Sequence, residues 1–352
     1  MRIDQLTFTR FLAAISIVVF HFGLDVFPFN SECLKDIFSQ ANVGVSYFFI
    51  LSGFVMVIAY QNHDKIEYIN YYKNRFARIY PIYLIGLLSF VFFQIFNNNP
   101  ISITELTLNT FLLQAWYPGR TLSLNFPGWS ISVELFFYIL FPLIMNFYLK
   151  IKSKGVFNYV VVCFWLFSQI ILYLLFNSNF YKGYPSVSHD MIFYHPFMHL
   201  NEFLIGIISA FYFLKFDKEN IKRFDFMILV LVGLIILFLK VNNVIILHNG
   251  FMAVFFVPII IFLSLNRNGI ITKILKNKYL ILLGEISFGI YILQVPIFRI
   301  TYQFLDYFSV SEIWIRFYTA IFLLVLISYY SYVIIEVPLR DRIKKYIFKK
   351  AL

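Results

Sequence analysis

The chain has 352 residues, of which 61% are hydrophobic and 13% are charged, and its mean hydropathy is +0.77. These values exclude an ordinary soluble domain and place the chain among polytopic membrane proteins. The net charge of +11 does not by itself indicate nucleic-acid binding, because basic residues on one side of a membrane explain the same excess. We therefore expect a lipid bilayer, and no nucleic acid, as a partner.

Ten apolar stretches are long enough to cross a bilayer as helices. They cover residues 6–23, 43–60, 79–97, 129–149, 156–176, 196–215, 225–240, 250–266, 279–299 and 316–335. The seventh and eighth are the shortest, so we expect these two to be tilted, longer than drawn or partly buried in protein. The sequence predicts an all-α, polytopic membrane helix bundle of about ten transmembrane helices, in a single domain over residues 1–352.

Lysine and arginine are distributed unevenly between the two sides of these predicted helices. With the N-terminus inside, 23 of the 29 basic residues fall on the cytoplasmic side, and every inner loop shares the excess. This bias sets the orientation of membrane proteins, so we predict that both termini are cytoplasmic. The largest outer segment, 98–128, is apolar enough in its middle to dip into the membrane and cap a site.

Arg10 and His21 stand at the two ends of an apolar run in the first predicted span. At about 100° and 1.5 Å per residue they share one helix face, roughly 16 Å apart along the axis. A charged residue inside a span is a candidate functional residue. The alternative is an arginine that reaches the lipid headgroups and a histidine at the opposite interface.

Glu134 lies about five residues inside the outer end of the fourth predicted span, at a depth similar to that of His21. A carboxylate there costs roughly 2.5 to 3.5 kcal/mol unless it is protonated, paired or facing a wet cavity. A histidine and a carboxylate together suit general-base catalysis on a hydroxyl, because the imidazole takes the proton and the carboxylate orients the ring. The alternative is a structural pair that holds two helices together.

Arg75 and Arg78 are three residues apart at the inner start of the third predicted span, so they share a helix face. Two guanidinium groups in this arrangement are suited to gripping phosphates. The alternative is the ordinary basic flank of a transmembrane helix.

His195, His199 and Glu202 fall on one face at the start of the sixth span, and Pro196 places His195 just before the helix. The spacing would suit a metal ion, but no further Cys or His cluster completes a ligand set. We therefore expect no metal site here and a polar stripe that lines an outer cavity.

A second polar stripe, in the ninth span, consists of Ser287, Tyr291 and Gln294, and Gly284 and Gly289 beside it allow close helix contact.

Five motifs occur in order along nearly the whole chain. They are Arg10, Ala13, Ala14 and His21; Phe48 to Phe54; Arg75, Arg78, Pro81 and Tyr83; Asn125 in an N-x-P-x-W arrangement; and Trp129, Ser130, Glu134, Phe137 and Tyr138. Through them the chain resembles the membrane acyltransferase 3 family, which includes bacterial O-antigen and capsule O-acetyltransferases. Gln294 departs from the family pattern, in which a histidine is common, so no proton transfer is assigned to it. No soluble esterase-like domain is expected after the tenth helix.

The resemblance implies an acyltransferase of the bacterial cytoplasmic (inner) membrane. It would move an acetyl group from acetyl-CoA, with no tightly bound cofactor, to a hydroxyl of a cell-surface glycan (O-antigen, capsule or exopolysaccharide) or of its lipid-linked precursor. The catalytic residues would be His21 and Glu134, and the residues that bind substrate or acyl-CoA would be Arg10, Arg75, Arg78, Asn125 and Trp129.

Two alternatives stay open at this point. His21 either deprotonates the acceptor hydroxyl or carries the acyl group covalently. The rival class of protein is a transporter or flippase for lipid-linked sugars, because intramembrane charges also line substrate pathways.

Overall fold

The computed structural model describes residues 3–216, 223–241 and 246–342, and within these ranges the chain forms α-helices and no β-strand. The helices are α1 (Gln5–Phe22), α2 (Glu32–Phe38), α3 (Gly44–Tyr60), α4 (Tyr68–Phe96), α5 (Ile103–Thr110), α6 (Gly128–Lys150), α7 (Lys154–Phe176), α8 (Val187–Phe193), α9 (Pro196–Lys215), α10 (Asp225–Val241), α11 (Ala253–Leu265), α12 (Ile270–Leu275), α13 (Lys278–Tyr307) and α14 (Ile313–Ser331). The predicted all-α class is confirmed.

Eight helical segments of the described chain are long and apolar enough to cross a membrane. They are Gln5–Phe22, Glu32–Tyr60, Tyr68–Phe96, Gly128–Lys150, Lys154–Phe176, Val187–Lys215, Lys278–Tyr307 and Ile313–Arg342. The seventh and eighth predicted spans correspond to α10 and α11, which have only 17 and 13 residues. These lengths of about 26 and 20 Å are shorter than a hydrocarbon core of about 30 Å. The protein is a polytopic membrane protein, and the number of ten spans stays a prediction.

The cytoplasmic position of both termini also stays a prediction. Seven of the basic residues counted toward it lie outside the described ranges: Arg2, Lys218, Lys222, Lys344, Lys345, Lys349 and Lys350.

The helix α4 begins at Tyr68, eleven residues before the third predicted span starts at residue 79. Its basic residues lower the local hydropathy, but aromatic neighbours continue the helix against α6. The Tyr72 hydroxyl donates to the Ile139 carbonyl oxygen at 3.1 Å, and the ring of Tyr71 stacks on that of Phe141 with centroids 5.7 Å apart. The arginines of this segment therefore lie inside a helix and not at its first residue.

The chain divides into two compact units. The first comprises Met1–Asp64 and Phe147–Glu285, and the second comprises Lys65–Asn146 and Ile286–Leu352. Of the predicted site residues, the first unit holds Arg10 and His21, and the second holds Arg75, Arg78, Asn125, Trp129 and Glu134. The single domain over residues 1–352 stays a prediction.

In the first unit, α3 and α9 approach closely because each has a glycine where the backbone of the other passes. A Cβ atom on Gly53 would lie 2.2 Å from the carbonyl oxygen of Phe203, and one on Gly206 would lie 2.1 Å from the carbonyl oxygen of Ile50. Both obstacles are backbone atoms, which cannot rotate aside as a side chain can. Small residues of this kind are typical of close contacts between membrane helices.

We expect Gly53→Ala and Gly206→Ala each to lower the free energy of unfolding by about 1 to 3 kcal/mol, because the added methyl group overpacks this contact. Gly233→Ala in α10 is the matched control, since no atom lies within 4 Å of its added Cβ. Thermal unfolding of the purified protein in detergent checks the difference. Equal melting temperatures for Gly206→Ala and Gly233→Ala would contradict the close contact of α3 with α9.

The predicted outer segment 98–128 is an ordered part of the second unit. It contains α5 and a 3₁₀ turn, Gln114–Trp116. The Tyr83 hydroxyl donates to the Asn109 carbonyl oxygen at 2.7 Å and accepts a hydrogen bond from the Gln114 side chain at 3.2 Å. These bonds tie the segment to α4, so that both amide side chains are buried. That the segment dips into the membrane and caps a site stays a prediction.

Candidate functional site

Arg10 and His21 are half-buried on a face of α1 that also carries fully buried residues. Ala14 and Ile17, at helix positions between them, are 0% and 1% exposed, whereas Leu12 on the opposite face is 46% exposed. Residues four, seven and eleven positions after Arg10 return to within about 40° of it on a helix. Val19, almost opposite Arg10 and His21 on the helix, is also only 2% exposed, so α1 is buried on more than one face near His21. The functional interpretation of Arg10 and His21 therefore stays a prediction.

Aromatic side chains surround the two ends of this face. The imidazole of His21 lies beside the rings of Phe20 and Phe22, with centroids 5.1 and 6.0 Å away. At the other end, the hydroxyls of Thr9 and Tyr47 are 2.5 Å apart, which ties the turn that carries Arg10 to α3. The position of Arg10 is thus set by its helix and by the adjacent hydrogen bond.

Arg75 in the second unit is held between two tyrosine rings. Its guanidinium carbon lies 5.6 Å from the ring centroid of Tyr71, one helical turn earlier on α4, and 5.4 Å from that of Tyr138 on α6. The hydroxyl of Tyr138 donates to Oε1 of Glu134 at 2.5 Å. The structure therefore places both a predicted phosphate-binding arginine and a predicted catalytic carboxylate beside one tyrosine side chain.

Asn125 has a definite partner in the second unit. Its Nδ2 donates to the carbonyl oxygen of Ile292 at 3.0 Å. That carbonyl lacks its usual helical donor, because the residue four positions later is Pro296, which has no N–H. Gly86 on α4 makes room for this bond, since a Cβ there would lie 3.1 Å from Asn125 Nδ2. The Asn125 side chain thus supplies the hydrogen bond that Pro296 cannot donate within α13. Its role in substrate binding stays a prediction.

The other predicted residues of the second unit differ in exposure. Trp129 is buried in the first turn of α6, whereas Arg78 is exposed on α4. Of the polar stripe on α13, Tyr291 pairs its hydroxyl with that of Ser130 at 2.8 Å, and Gln294 donates to the Tyr291 carbonyl oxygen at 2.7 Å. Tyr291 and Gln294 are both buried and hydrogen-bonded within the second unit, so they stabilise its packing.

The close helix contacts expected of two glycines are confirmed. A Cβ on Gly284 would meet the Thr7 carbonyl oxygen at 2.0 Å in the first unit, and one on Gly289 would meet the side chain of Ser328 at 3.1 Å in the second.

His199 and Glu202 form a hydrogen-bonded pair inside the first unit. His199 Nδ1 lies 2.8 Å from Glu202 Oε2, and both side chains are 0% exposed. His199 Nε2 lies 2.9 Å from the carbonyl oxygen of Phe193, the last residue of α8. The predicted outer cavity lined by these two residues is therefore wrong, because the α8 terminus and the ring of Phe49 close the site.

The hydrogen-bond partners of His199 and Glu202 indicate which of their atoms carry hydrogen. A carbonyl oxygen only accepts, so Nε2 of His199 carries a hydrogen, and a second proton lies between Nδ1 and the carboxylate of Glu202. The pair is then electrically neutral as a whole, whichever partner holds that proton. His195, by contrast, precedes α9 in extended conformation with Pro196 at the first helical position, as predicted.

No group of three or more His, Cys, Asp or Glu side chains in the described ranges is arranged to hold a metal ion.

His248 lies close to this pair, in the turn before α11. Burial, together with the neighbouring imidazoles of His199 and His189, lowers the pKa of His248 from its usual value of 6.5 to about 3. The folded state disfavours the charged form of His248, so the unfolded chain takes up a proton first as the pH falls. The stability of the folded protein is therefore unaffected by this histidine above pH 6.5 and decreases as the pH falls from 6.5 toward 3.

We therefore expect the native protein to lose up to about 2 kcal/mol of stability through this histidine between pH 7 and pH 5. The His248→Gln variant does not titrate in this window and should show a smaller loss. Melting temperatures in detergent at both pH values check this, with the native protein as reference. The same acid-induced loss in both proteins would show that His248 does not contribute.

Sequence reasoning did not assign roles to Tyr71 and Tyr138. Both follow helical spacing from a predicted site residue, since Tyr71 is four residues before Arg75 and Tyr138 is four residues after Glu134. This spacing of four residues was the feature of the sequence that could have identified the two tyrosines. The predicted pairing of His21 with Glu134 joins residues of different units and stays a prediction.

Comparison with known proteins identifies similar sequences along almost the whole chain. The family model of the acyltransferase domain matches residues 3–334. The O-acetyltransferase OatA of Staphylococcus aureus is 24% identical over 361 residues, which cover 95% of this chain and 56% of that protein. The acyltransferase MdmB of Streptomyces mycarofaciens is 31% identical over 170 residues, which cover 44% of this chain and 42% of that protein.

The chain spans about half the length of these curated relatives. No solved structure matches this chain with comparable significance.

Proposed function

Because this chain belongs to the membrane acyltransferase 3 family, we propose that it is an O-acyltransferase that moves an acetyl group from acetyl-CoA to a hydroxyl of a cell-surface glycan or its lipid-linked precursor. The observation that carries the proposal is the similarity to an O-acetyltransferase over 95% of the chain. The bacterial cytoplasmic membrane is the proposed location. Acetyl-CoA is a substrate in this reaction, and no bound cofactor is required.

The arrangement around Arg75 supports the donor side of this proposal. Aromatic rings pack against the face of a guanidinium, whereas its edge makes the bidentate hydrogen bonds that phosphates and carbonyl groups accept. Arg75 lies over two tyrosine rings, with its guanidinium carbon 5.6 and 5.4 Å from their centroids. Arg78 lies one turn further along α4 and is exposed. We assign both arginines, together with Arg10, to the CoA phosphates or the thioester carbonyl.

The proposed chemistry is a single displacement on the thioester. His21 takes the proton from the acceptor hydroxyl, and the hydroxyl oxygen forms a bond to the carbonyl carbon of the acetyl group. The carbon–sulfur bond then breaks, and the departing CoA thiolate takes this proton from the imidazolium, which restores neutral His21. Glu134 supports the imidazolium directly or through water. A covalent acetyl-histidine would instead form in the absence of acceptor, and mass spectrometry of the protein incubated with donor alone separates the two routes.

We expect Arg75→Lys and Arg78→Lys to raise the KM for acetyl-CoA by about 10- to 100-fold, because an ammonium group cannot reproduce a bidentate contact worth about 1.5 to 3 kcal/mol. Lys73→Ala is the matched control, since this exposed lysine belongs to the same basic stretch of α4. Steady-state kinetics at equal protein abundance check the prediction. Native KM values in both lysine variants would assign these arginines to the basic flank of the helix.

Release of CoA by the purified protein tests the proposed function. We expect thiol release from acetyl-CoA that increases when the acceptor glycan is added, and an acetyl mass increment on glycans from cells that contain the protein. Movement of lipid-linked sugars across vesicles without thiol release would instead establish the transporter alternative.

A further inference from the structure

We propose that Tyr138 is a positioning residue that couples the donor-binding arginine, Arg75, to the carboxylate of Glu134. This inference rests on the proposed acyl transfer. Its basis is that one side chain interacts with both groups: the guanidinium carbon lies 5.4 Å from the ring centroid, and the hydroxyl donates to the carboxylate at 2.5 Å. Donor binding and acid–base chemistry are then linked through a single residue of α6.

The ring of Tyr138 restricts the position of the guanidinium. A second ring, that of Tyr71, lies 5.6 Å from the same carbon atom. A cation placed over two aromatic rings loses conformational freedom before any ligand arrives, so less entropy is lost when it binds oxygen atoms. Tyr138 therefore preorganises Arg75 for the acyl donor, without touching the donor itself.

The hydroxyl of Tyr138 determines the orientation of Glu134. The two residues are one helical turn apart on α6, and the bond between them lies along the helix. Because Tyr138 is buried and Glu134 is only half-buried, the phenol fixes the carboxylate from its protein side. A displacement of the ring toward or away from Arg75 consequently moves the carboxylate as well.

Two substitutions separate these effects. Tyr138→Phe keeps the ring and removes the hydrogen bond, so we expect kcat to fall by about 10-fold or more, with an unchanged KM for acetyl-CoA and unchanged equilibrium binding of CoA. Tyr138→Leu also removes the ring, so we expect CoA binding to weaken by about 10-fold in addition. Tyr72→Phe is the matched control, because its hydroxyl joins the same two helices through the Ile139 carbonyl oxygen.

The coupling has its own test. Arg75→Lys should weaken CoA binding less in the Tyr138→Leu protein than in the native protein, because the stacking is already lost, and equal losses in both backgrounds would overturn the proposal. Native kcat in Tyr138→Phe would also overturn it. These outcomes require an active native protein, so failure of the native protein to release CoA would refute the proposed function instead. CoA binding by calorimetry needs no turnover, and the Phe variant retains the packing volume, so both measurements remain decisive if Tyr138→Leu folds poorly.

Discussion

His21→Ala is expected to reduce acyl transfer by about 10²- to 10⁴-fold, the range that a general base typically contributes. The histidine shares a face of α1 with the buried Ala14 and Ile17, and an alanine side chain cannot accept the proton of the acceptor hydroxyl. Thiol release and glycan acetylation, measured at equal membrane abundance, check the effect. His63→Ala is the matched control, because that exposed histidine lies in the loop between α3 and α4.

Glu134→Gln should fall in the same range as His21→Ala, and the double variant should be little worse than either single one, because residues that act as a unit are not additive. Multiplicative losses would give Glu134 a separate role, for which contact with the acceptor sugar is the natural candidate. Native glycan acetylation in the His21→Ala protein would return His21 to an interfacial role and refute the general-base mechanism.

Glu202→Ala is expected to lower the free energy of unfolding by about 1 to 3 kcal/mol, because it leaves a buried ring nitrogen of His199 without its hydrogen-bond partner. His199 would keep its bond to the Phe193 carbonyl oxygen, but Nδ1 would lose its partner inside a closed site. Thermal or denaturant unfolding in detergent measures the loss.

Glu202→Gln is the informative companion to this change. A glutamine amide can donate to Nδ1 of a neutral His199 while Nε2 still donates to Phe193, so both hydrogen bonds survive without the shared proton. We therefore expect a loss well below that of Glu202→Ala. Equal losses for the two variants would contradict the assignment of a neutral pair with one shared proton. Activity per folded molecule should be unchanged in Glu202→Gln, because the pair is closed off from substrate.

The two expectations contrast two kinds of intramembrane histidine. His21 is partly exposed and lies on a helix face that also carries an arginine, whereas His199 is fully buried and bonded to Glu202 and to the Phe193 carbonyl oxygen. Hydropathy alone treats these residues alike. Burial assigns His199 to the stability of the first unit, and the role of His21 in the reaction stays a prediction.

Several features of this protein were determined by local sequence. Runs of about 20 apolar residues predict helices of membrane length, and the helical repeat places Arg10 and His21 on one face, together with the buried Ala14 and Ile17. Pro196 marks the start of α9, because proline is suited to the first helical position. These features depend on residues within one helix, so a single sequence contains the necessary information.

Other features were decided only by tertiary structure. Hydropathy placed the start of α4 too late, because it counts the charge of Arg75 but not the tyrosine from α6 that packs on it. The partner of Asn125 is a carbonyl group made available by a proline far away in the chain. Glu202 is fully buried, and the end of α8 closes over its partner His199. Each of these depends on which atoms a second element brings near, and the periodicity of one segment carries no information about its neighbour in space.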